Sequence, residues 1–240
     1  MYRFFEDSVF NDEIILNKEN SNHYHSVLRI KEYETVEVVT DNGIFRCVFK
    51  ELRDKDIVLR ITEEIKDGNE SSVNLYLFQG IIKNDKMEQV LKQATEVGVK
   101  EFYPLKLKRI VADIDKKVDK KIQRWEKIVE AAAKQSKRDI IPIVNKPVDI
   151  KELKEIAKEL NLDIIVPYEN EENLKLQEIK DLSKNIGLVI GPEGGFEEEE
   201  IEELKSLNAH VITLGNRILR AETAAVCSSF SIIYELESRE

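Results

Sequence analysis

The sequence contains little of what marks several common classes of protein. Among its 240 residues are 2 cysteines, 5 prolines and 9 glycines. Cys47 and Cys227 lack the CxxC spacing of metal and redox sites, so we expect free thiols and a reducing, cytoplasmic location. With 42% hydrophobic residues and so few prolines and glycines, the chain is neither disordered nor collagen-like.

Long apolar runs and familiar catalytic motifs are missing too. No 18 consecutive apolar residues occur, and the N-terminus has no apolar segment behind a basic start, so we expect neither a membrane span nor a signal peptide. The sequence has no GxSxG, HExxH or GxGxxG pattern. His23, His25 and His210 have no cysteine or further histidine at metal-ligand spacing, which predicts no metal site.

Charge is unevenly distributed along the chain. The net charge of −10 argues against a nucleic-acid partner. Residues 106–138, however, contain 12 Lys or Arg and only 5 Asp or Glu. A basic stripe of this size could follow a phosphate backbone. Composition alone favours the alternative, a solvated helix face rich in lysine.

The pattern of apolar residues divides the chain into two parts. Asp41-Asn42-Gly43 lies between two β-rich runs and is typical of a hairpin turn, because Asn and Gly accept positive φ. We predict a small β-rich domain, a barrel, over residues 1–70, which ends in a segment of linker composition. From Val73 onward strand and helix patterns alternate, which predicts an α/β domain over residues 73–240 with a mostly parallel sheet.

Helices are predicted in the second part where apolar residues recur at helical spacing. Asp85 and Glu88 have the spacing of a capping box at the start of one helix. In a helix over residues 120–136, Trp125 lies on the apolar face and is expected in the core. The last helix is predicted from Ala221 to Glu237.

A glycine-rich turn, Gly191-Pro192-Glu193-Gly194-Gly195, follows an apolar strand. Ligands of parallel α/β sheets bind at the carboxyl ends of strands, so this turn is a candidate site. Glycines let the backbone approach a ligand closely, although a tight connecting turn would need them equally. Glu197 to Glu200 open the next helix and would repel a phosphate, so the turn suits a neutral or cationic ligand better.

A second candidate turn covers residues 214–225, after the next predicted strand. Arg217 and Arg220 lie three residues apart in it. They could hold an RNA phosphate, or they could form a structural pair with Glu222. The small residues at the start of the following helix allow another backbone to approach closely.

Together the two turns resemble the paired C-terminal signatures of the ribosomal RNA small subunit methyltransferase E family, which belongs to the SPOUT methyltransferases. The matching segments are residues 190–196, IGPEGGF, and residues 214–224, LGNRILRAETA. Supporting segments occur in the same order along nearly the whole chain, from Asn22-His23 to Arg138. The chain departs from the family's usual residues at Lys108, Lys134, Lys137, Asn216 and Ala221.

The resemblance implies an α/β protein in which an N-terminal PUA-like RNA-binding β-barrel precedes a SPOUT α/β domain with a C-terminal trefoil knot. It implies S-adenosylmethionine as the cofactor and methylation of N3 of a specific uridine in 16S ribosomal RNA of the assembled small subunit. The implied cofactor-binding residues are Gly191, Glu193, Gly194, Gly195, Leu214, Gly215, Ile218, Leu219 and Ala224. The implied catalytic residues are Arg217, Arg220 and Glu222. The expected RNA contacts are Arg3, Arg29, Arg109, Lys134, Lys137 and Arg138.

Other functions and the state of assembly stay open at this point. The same barrel and basic stripe fit a noncatalytic RNA-binding ribosome-assembly factor, and the same fold fits a methyltransferase of transfer RNA. The resemblance also implies a homodimer. An apolar stripe on the last helix fits a second chain, although packing onto its own sheet fits equally well. The stripe consists of Val226, Phe230, Ile233 and Leu236.

Overall fold

The computed structural model describes residues 1–110 and 118–239, which divide into two compact units. Met1–Glu70 and Ala133–Ile140 form the first unit, and Ser71–Ala132 and Ile141–Glu240 form the second. This division departs from the predicted second domain over residues 73–240, because residues 133–140 group with the N-terminal unit.

The N-terminal unit is built on a mixed sheet. Its elements are β1 (Arg3–Phe5), β2 (Glu13–Ile15), α1 (Lys18–Asn22), a π-helical turn (His23–Val27), β3 (Thr35–Thr40), β4 (Gly43–Arg53) and β5 (Asp56–Ile65). The five strands follow the order β1-β3-β4-β5-β2. The predicted hairpin is confirmed, since β3 and β4 pair antiparallel and Gly43 has φ +139°. Apolar side chains such as Phe4, Val38 and Leu59 form its core.

Two buried arginines hold the end of the 133–140 segment in the N-terminal unit. Arg3 is 4% exposed, donates to the Lys137 carbonyl at 2.7 Å and pairs with Asp139. Arg138, also 4% exposed, donates to the Glu70 carboxylate at 2.7 Å. Breaking a buried ion pair is costly, because it leaves an uncompensated charge. We therefore assign Arg3 and Arg138 a structural role in place of the predicted RNA contact.

The second unit is an α/β structure on a parallel sheet. Its elements are β6 (Asn74–Gly80), α2 (Asn84–Val97), β7 (Glu101–Leu105), α3 (Val118–Ser136), β8 (Ile143–Val144), α4 (Ile150–Glu159), β9 (Asp163–Pro167), a 3-10 turn (Leu176–Glu178), β10 (Asn185–Ile190), α5 (Glu198–Lys205), β11 (His210–Ile212) and α6 (Ala221–Glu237). The strand order is β11-β9-β10-β6-β7-β8, and every neighbouring pair is parallel. Side chains of α2, α3 and α6 pack in one apolar cluster with the sheet, and those of α4 and α5 pack in a second.

Helix α2 shows how a local prediction fails against a tertiary contact. No side chain caps its N-terminus, so the predicted capping box of Asp85 and Glu88 is wrong. The Glu88 carboxylate accepts a hydrogen bond from Arg124 Nη2 at 2.8 Å instead. Trp125, the residue after Arg124 in α3, is 2% exposed, which confirms its predicted place in the core.

Helix α6 has the predicted bounds, but its apolar stripe is divided. Ile233 and Leu236 are buried in the core of their own unit. Phe230 and Tyr234 are 54% and 65% exposed, and their rings stack with centroids 5.7 Å apart. One side of the helix therefore packs on its own sheet, while the other presents two aromatic rings on the surface.

Two further properties concern the described ranges as a whole. Within residues 1–110 and 118–239, no helix combines the length and the apolar character needed to cross a bilayer, and no cluster of three or more His, Cys, Asp or Glu could hold a metal ion. Both cysteines are free thiols, and burial raises the pKa of Cys47 to about 12.

Candidate functional site

A cavity of about 810 Å³ lies in the second unit, where β9, β10 and β11 end. Three loops supply most of its lining, and we name them the acidic loop (residues 167–172), the glycine loop (residues 190–196) and the arginine loop (residues 213–221). Lys86 of α2 and Ala224 of α6 complete it. The cavity therefore lies at the edge of the parallel sheet where a ligand is expected.

Most of the predicted cofactor residues line this cavity. They are Gly191, Glu193, Gly195, Leu214, Gly215, Ile218, Leu219 and Ala224. Arg217 and Arg220, predicted as catalytic, line it as well. Gly194 and Glu222 do not belong to the lining. The fold thus brings together two turns that are about twenty residues apart in the sequence.

The glycine loop is packed tightly against its surroundings. A Cβ at Gly191 would lie 3.0 Å from the Phe196 ring. At Gly195, where φ is +71°, a Cβ would lie 2.5 Å from Glu169 Oε1. On the neighbouring strand, a Cβ at Gly80 would lie 2.6 Å from a backbone nitrogen of the loop. Gly191 and Gly195 serve a tight turn and also face the cavity, and Gly80 lets the loop lie close to β6.

Arg109 anchors the glycine loop. Its Nη1 donates to the Gly194 carbonyl at 3.1 Å, and its Nε donates to Glu197 Oε1 at 2.8 Å. The hydrogen bond from Arg109 lowers the pKa of the Glu197 carboxyl. A Cβ at Gly194 would lie 3.0 Å from the Arg109 Cβ. Gly194 thus makes room for Arg109, and Arg109 is engaged within its own unit.

The arginine loop is far more open. At Gly215, where φ is +96°, a Cβ would meet no atom within 4 Å. Ile218 is 88% exposed. Among the described residues, the guanidinium groups of Arg217 and Arg220 have no ion-pair or hydrogen-bond partner, so the structural pair with Glu222 is not formed. Two uncompensated guanidinium groups are consequently available at the cavity.

Glu222 pairs with a lysine that the sequence did not single out as a site residue. Lys86 Nζ lies 3.7 Å from Glu222 Oε2 and 3.5 Å from Glu193 Oε1. Glu222 is 8% exposed, and no described residue donates a hydrogen bond to its Oε2. Lys86 lies in the first turn of α2, the helix that follows β6. Its position just after a strand of a parallel sheet could have predicted it as a site residue.

The acidic loop was missed as well. Its lining residues are Pro167, Tyr168, Glu169, Glu171 and Glu172. The Tyr168 ring meets the Phe196 ring edge to face at 6.4 Å, which joins the acidic loop to the glycine loop. The Glu171 carboxylate accepts hydrogen bonds from the backbone N–H groups of Asn173 and Leu174, which lowers its pKa. The available signal was again the place of this loop directly after a predicted strand.

The remaining predicted RNA contacts lie in several places. In the N-terminal unit Arg29 and Lys137 are exposed, while Lys134 Nζ donates to Asn20 Oδ1 at 2.9 Å. Residues 111–117 of the basic stripe lie outside the described residues. In the second unit the outward face of α3 lines a shallow groove. This face consists of Lys120, Gln123, Arg124, Lys127, Ile128 and Ala131.

Comparison with known proteins supports the family resemblance carried by the loops that line the cavity. Residues 69–232 match the family model of an RNA methyltransferase domain. The chain is 35% identical to the ribosomal RNA small subunit methyltransferase E of Mesomycoplasma hyopneumoniae over 94% of this chain and 96% of that protein. This chain belongs to the ribosomal RNA small subunit methyltransferase E family.

Other members of the family share its sequence and its fold. The Bacillus subtilis member is 30% identical over 91% of this chain and 89% of its own length. The crystal structure of the Neisseria gonorrhoeae member, bound to S-adenosyl methionine, superposes with a TM-score of 0.86 at 27% identity, over 97% of this chain and 96% of that one. The α/β fold around the parallel sheet is therefore the fold of the family.

Proposed function

We propose that this chain methylates N3 of a specific uridine in 16S ribosomal RNA of the assembled small (30S) subunit, in the cytoplasm and with S-adenosylmethionine as the methyl donor. The observation that carries this proposal is that the two loops bearing the family signature line one cavity. The bound cofactor in the Neisseria gonorrhoeae relative supports the choice of donor. The names of the curated relatives support ribosomal RNA as the substrate class.

The cavity fits a cationic sulfonium compound. Four glutamates line it, against one lysine and two arginines. The apolar side chains of Leu214, Ile218 and Leu219 offer contact area for a nucleoside, and the empty space at Gly215 leaves room for a ligand. When bound, the cofactor supplies a methyl group on a positively charged sulfur. The residues that would hold it are Gly191, Glu193, Gly195, Leu214, Gly215, Ile218, Leu219 and Ala224.

Arg217 and Arg220 are the groups we assign to the target nucleotide. Uridine N3 must lose its proton before it accepts a methyl group, so negative charge develops on the uracil ring. Guanidinium groups already in place at the cavity stabilise that charge, and they can also hold a phosphate of the nucleotide. Glu222 is buried beside Lys86, and we therefore assign it a role in the charge balance of the site.

RNA binding depends on local basic surfaces. Residues 1–70 contain 10 Lys or Arg and 16 Asp or Glu, so the N-terminal unit attracts RNA by particular residues and not by its total charge. We propose Arg29, Lys134 and Lys137 as contacts in this unit. In the second unit we propose the outward face of α3, where three cations at helical spacing can follow a phosphate backbone.

The resemblance to the family also supports proposals on the oligomeric state, the barrel and the knot. We propose that the N-terminal sheet closes into a PUA-like barrel and that the cavity loops tie the trefoil knot of SPOUT methyltransferases. We propose a homodimer in which a second copy covers Phe230 and Tyr234, because two stacked and exposed rings are apolar area that water solvates poorly. A Phe230→Asp variant should then sediment as a monomer, and an unchanged mass would contradict the interface.

Methyl transfer to separated RNA fractions tests the function. Purified 30S subunits from cells that lack this chain, naked 16S RNA and total transfer RNA would each be incubated with the protein and labelled S-adenosylmethionine. We expect label in 30S subunits alone and, by mass spectrometry of the digested RNA, on N3 of one uridine. Label in transfer RNA would move the activity to a different substrate. No label in any fraction, despite cofactor binding, would favour a noncatalytic assembly factor.

A further inference from the structure

Three charged side chains form a cluster at one wall of the cavity, and the established family membership does not explain them. Lys86 lies between the carboxylates of Glu193 and Glu222, at 3.5 Å and 3.7 Å. Each comes from a different segment: the first turn of α2, the glycine loop and the first turn of α6. Lys86 and Glu193 line the cavity, whereas Glu222 does not.

The cluster has two carboxylates for one ammonium group, so one negative charge is left over. Glu222 is buried, and Lys86 is its only counter-charge among the described residues. Burying a carboxylate is costly unless an opposite charge lies beside it, and Lys86 supplies that charge. The surplus charge therefore stays next to the cavity and is less screened there than it would be in open solvent.

The other cavity carboxylates are placed differently. The Glu171 carboxylate accepts hydrogen bonds from the backbone N–H groups of Asn173 and Leu174. Glu169 and Glu172 belong to exposed residues, as Glu193 does, but among the described residues no ion pair holds either of them, whereas Glu193 is paired with Lys86. Arg217 and Arg220 contribute opposite charges from the arginine loop. The Lys86 cluster is thus the part of the lining where a fixed negative charge is tied to a buried group.

We propose that Lys86, Glu193 and Glu222 distinguish the cationic methyl donor from its neutral product by charge. The inference rests on the proposed function. In the transfer, N3 gives up its proton to solvent, the N3 electron pair bonds to the methyl carbon, and the electron pair of the C–S bond stays on sulfur. The sulfur thereby changes from +1 to neutral. A surplus negative charge beside the cavity stabilises the first state and not the second, so the spent cofactor leaves more readily.

Binding measurements without RNA test this proposal. Calorimetry would give the dissociation constants of S-adenosylmethionine, of S-adenosylhomocysteine, which is neutral at sulfur, and of sinefungin, which has a protonated amine at the methyl position. For Glu193→Gln we expect the preference for S-adenosylmethionine over S-adenosylhomocysteine to fall about fivefold, the size of a lost charge pair several ångströms apart in a wet site. Sinefungin should follow S-adenosylmethionine.

Two control variants separate charge from structure. Glu193→Asp keeps the carboxylate and should keep the preference even if both affinities fall. Glu198→Gln removes the same charge from an exposed residue that does not line the cavity, and it should change nothing.

The outcomes are distinct. In folded Glu193→Gln protein, an unchanged preference for S-adenosylmethionine over S-adenosylhomocysteine would overturn the charge mechanism. An equal loss of affinity for all three ligands would overturn it too and would give the ion pairs of Lys86 a structural role only. Failure of the unmodified protein to bind S-adenosylmethionine would instead contradict the proposed function itself.

Discussion

The glycine loop and the arginine loop line the same cavity but are built in opposite ways. The glycine loop is held by Arg109, and a Cβ would lie 3.0 Å from a neighbouring side chain at Gly191 and 2.5 Å from one at Gly195. The arginine loop has open space at Gly215 and two arginines without a partner among the described residues. The glycine loop is thus held by contacts within the protein when no ligand is bound. The guanidinium groups of the arginine loop make no such contacts.

This difference gives a rule for choosing functional residues in the chain. An arginine whose guanidinium is held by carboxylates and carbonyls of the protein contributes to the fold. Arg3 and Arg138 are buried and of this kind, and Arg109 is exposed but held in the same way. Arg217 and Arg220 are of the other kind, and we therefore expect their removal to change chemistry and not stability.

The largest effect is expected from Arg220→Ala. Loss of a preorganised donor at a developing charge reduces turnover by about 10²-fold or more. Methyl transfer to 30S subunits should fall by this factor, while the melting temperature and the affinity for S-adenosylmethionine stay near those of the unmodified protein. Normal turnover would refute the electrostatic role, and a large fall in melting temperature would show that the loop is not open.

Gly195 and Gly215 both have positive φ, so replacing each in turn by Val compares the two loops. Gly195→Val forces a β-branched residue to positive φ and against Glu169, so both the melting temperature and the cofactor affinity should fall, the latter by about 1–2 kcal/mol or roughly 5–30-fold. Gly215→Val meets no protein atom, so the cofactor affinity should fall with a smaller change in melting temperature. Calorimetry measures the cofactor affinity, and thermal unfolding measures the melting temperature. Equal losses of melting temperature in the two variants would contradict the difference between a tightly packed and an open loop.

RNA binding by α3 is tested at exposed cations, of which Arg124 is also paired with Glu88. Replacing Lys120, Arg124 and Lys127 together by Gln should lower the slope of log K against log salt for 30S binding by about 2–3 units, because each lost phosphate contact removes nearly one. The matched control, Lys146, Lys151 and Lys158 replaced by Gln, changes charge equally at exposed residues elsewhere in the same unit. Equal slopes for the two triple variants would make the α3 face a solvated surface.

The smallest effect concerns the anchor of the glycine loop and depends on pH. Because Arg109 lowers the pKa of Glu197 below its ordinary value of 4.5, their pairing stabilises the folded chain above that pH and is lost as pH falls through the folded pKa. Arg109→Met should therefore lower the melting temperature slightly at pH 7, and the difference from the unmodified protein should vanish in acid. Lys92→Met, at an exposed residue of α2, is the control. A difference that does not change with pH would refute the anchor.

Local sequence patterns predicted most of this structure, and long-range contacts account for what they missed. The bounds of α6, the hairpin at Gly43 and the parallel sheet follow from periodicity and turn residues. The membership of residues 133–140 in the N-terminal unit depends on Arg3, which is more than a hundred residues away.

The candidate site divides in the same way. The glycine and arginine loops carry visible motifs. The acidic loop joins them because β9 lies between β10 and β11, which is a fact of strand order that composition does not show. Lys86 belongs to the site for a similar reason, since α2 begins where β6 ends beside the glycine loop.

Hydrogen exchange of the two loops, with and without S-adenosylmethionine, tests the central claim most directly. The Gly195 N–H already donates to the Pro192 carbonyl at 3.0 Å, whereas the N–H groups of residues 216–219 have no partner among the described residues. If the arginine loop is the part completed by the ligand, S-adenosylmethionine should slow exchange strongly at residues 216–220 and weakly at residues 192–196. Strong protection confined to the glycine loop, with the cofactor bound and the arginine loop unchanged, would contradict the account.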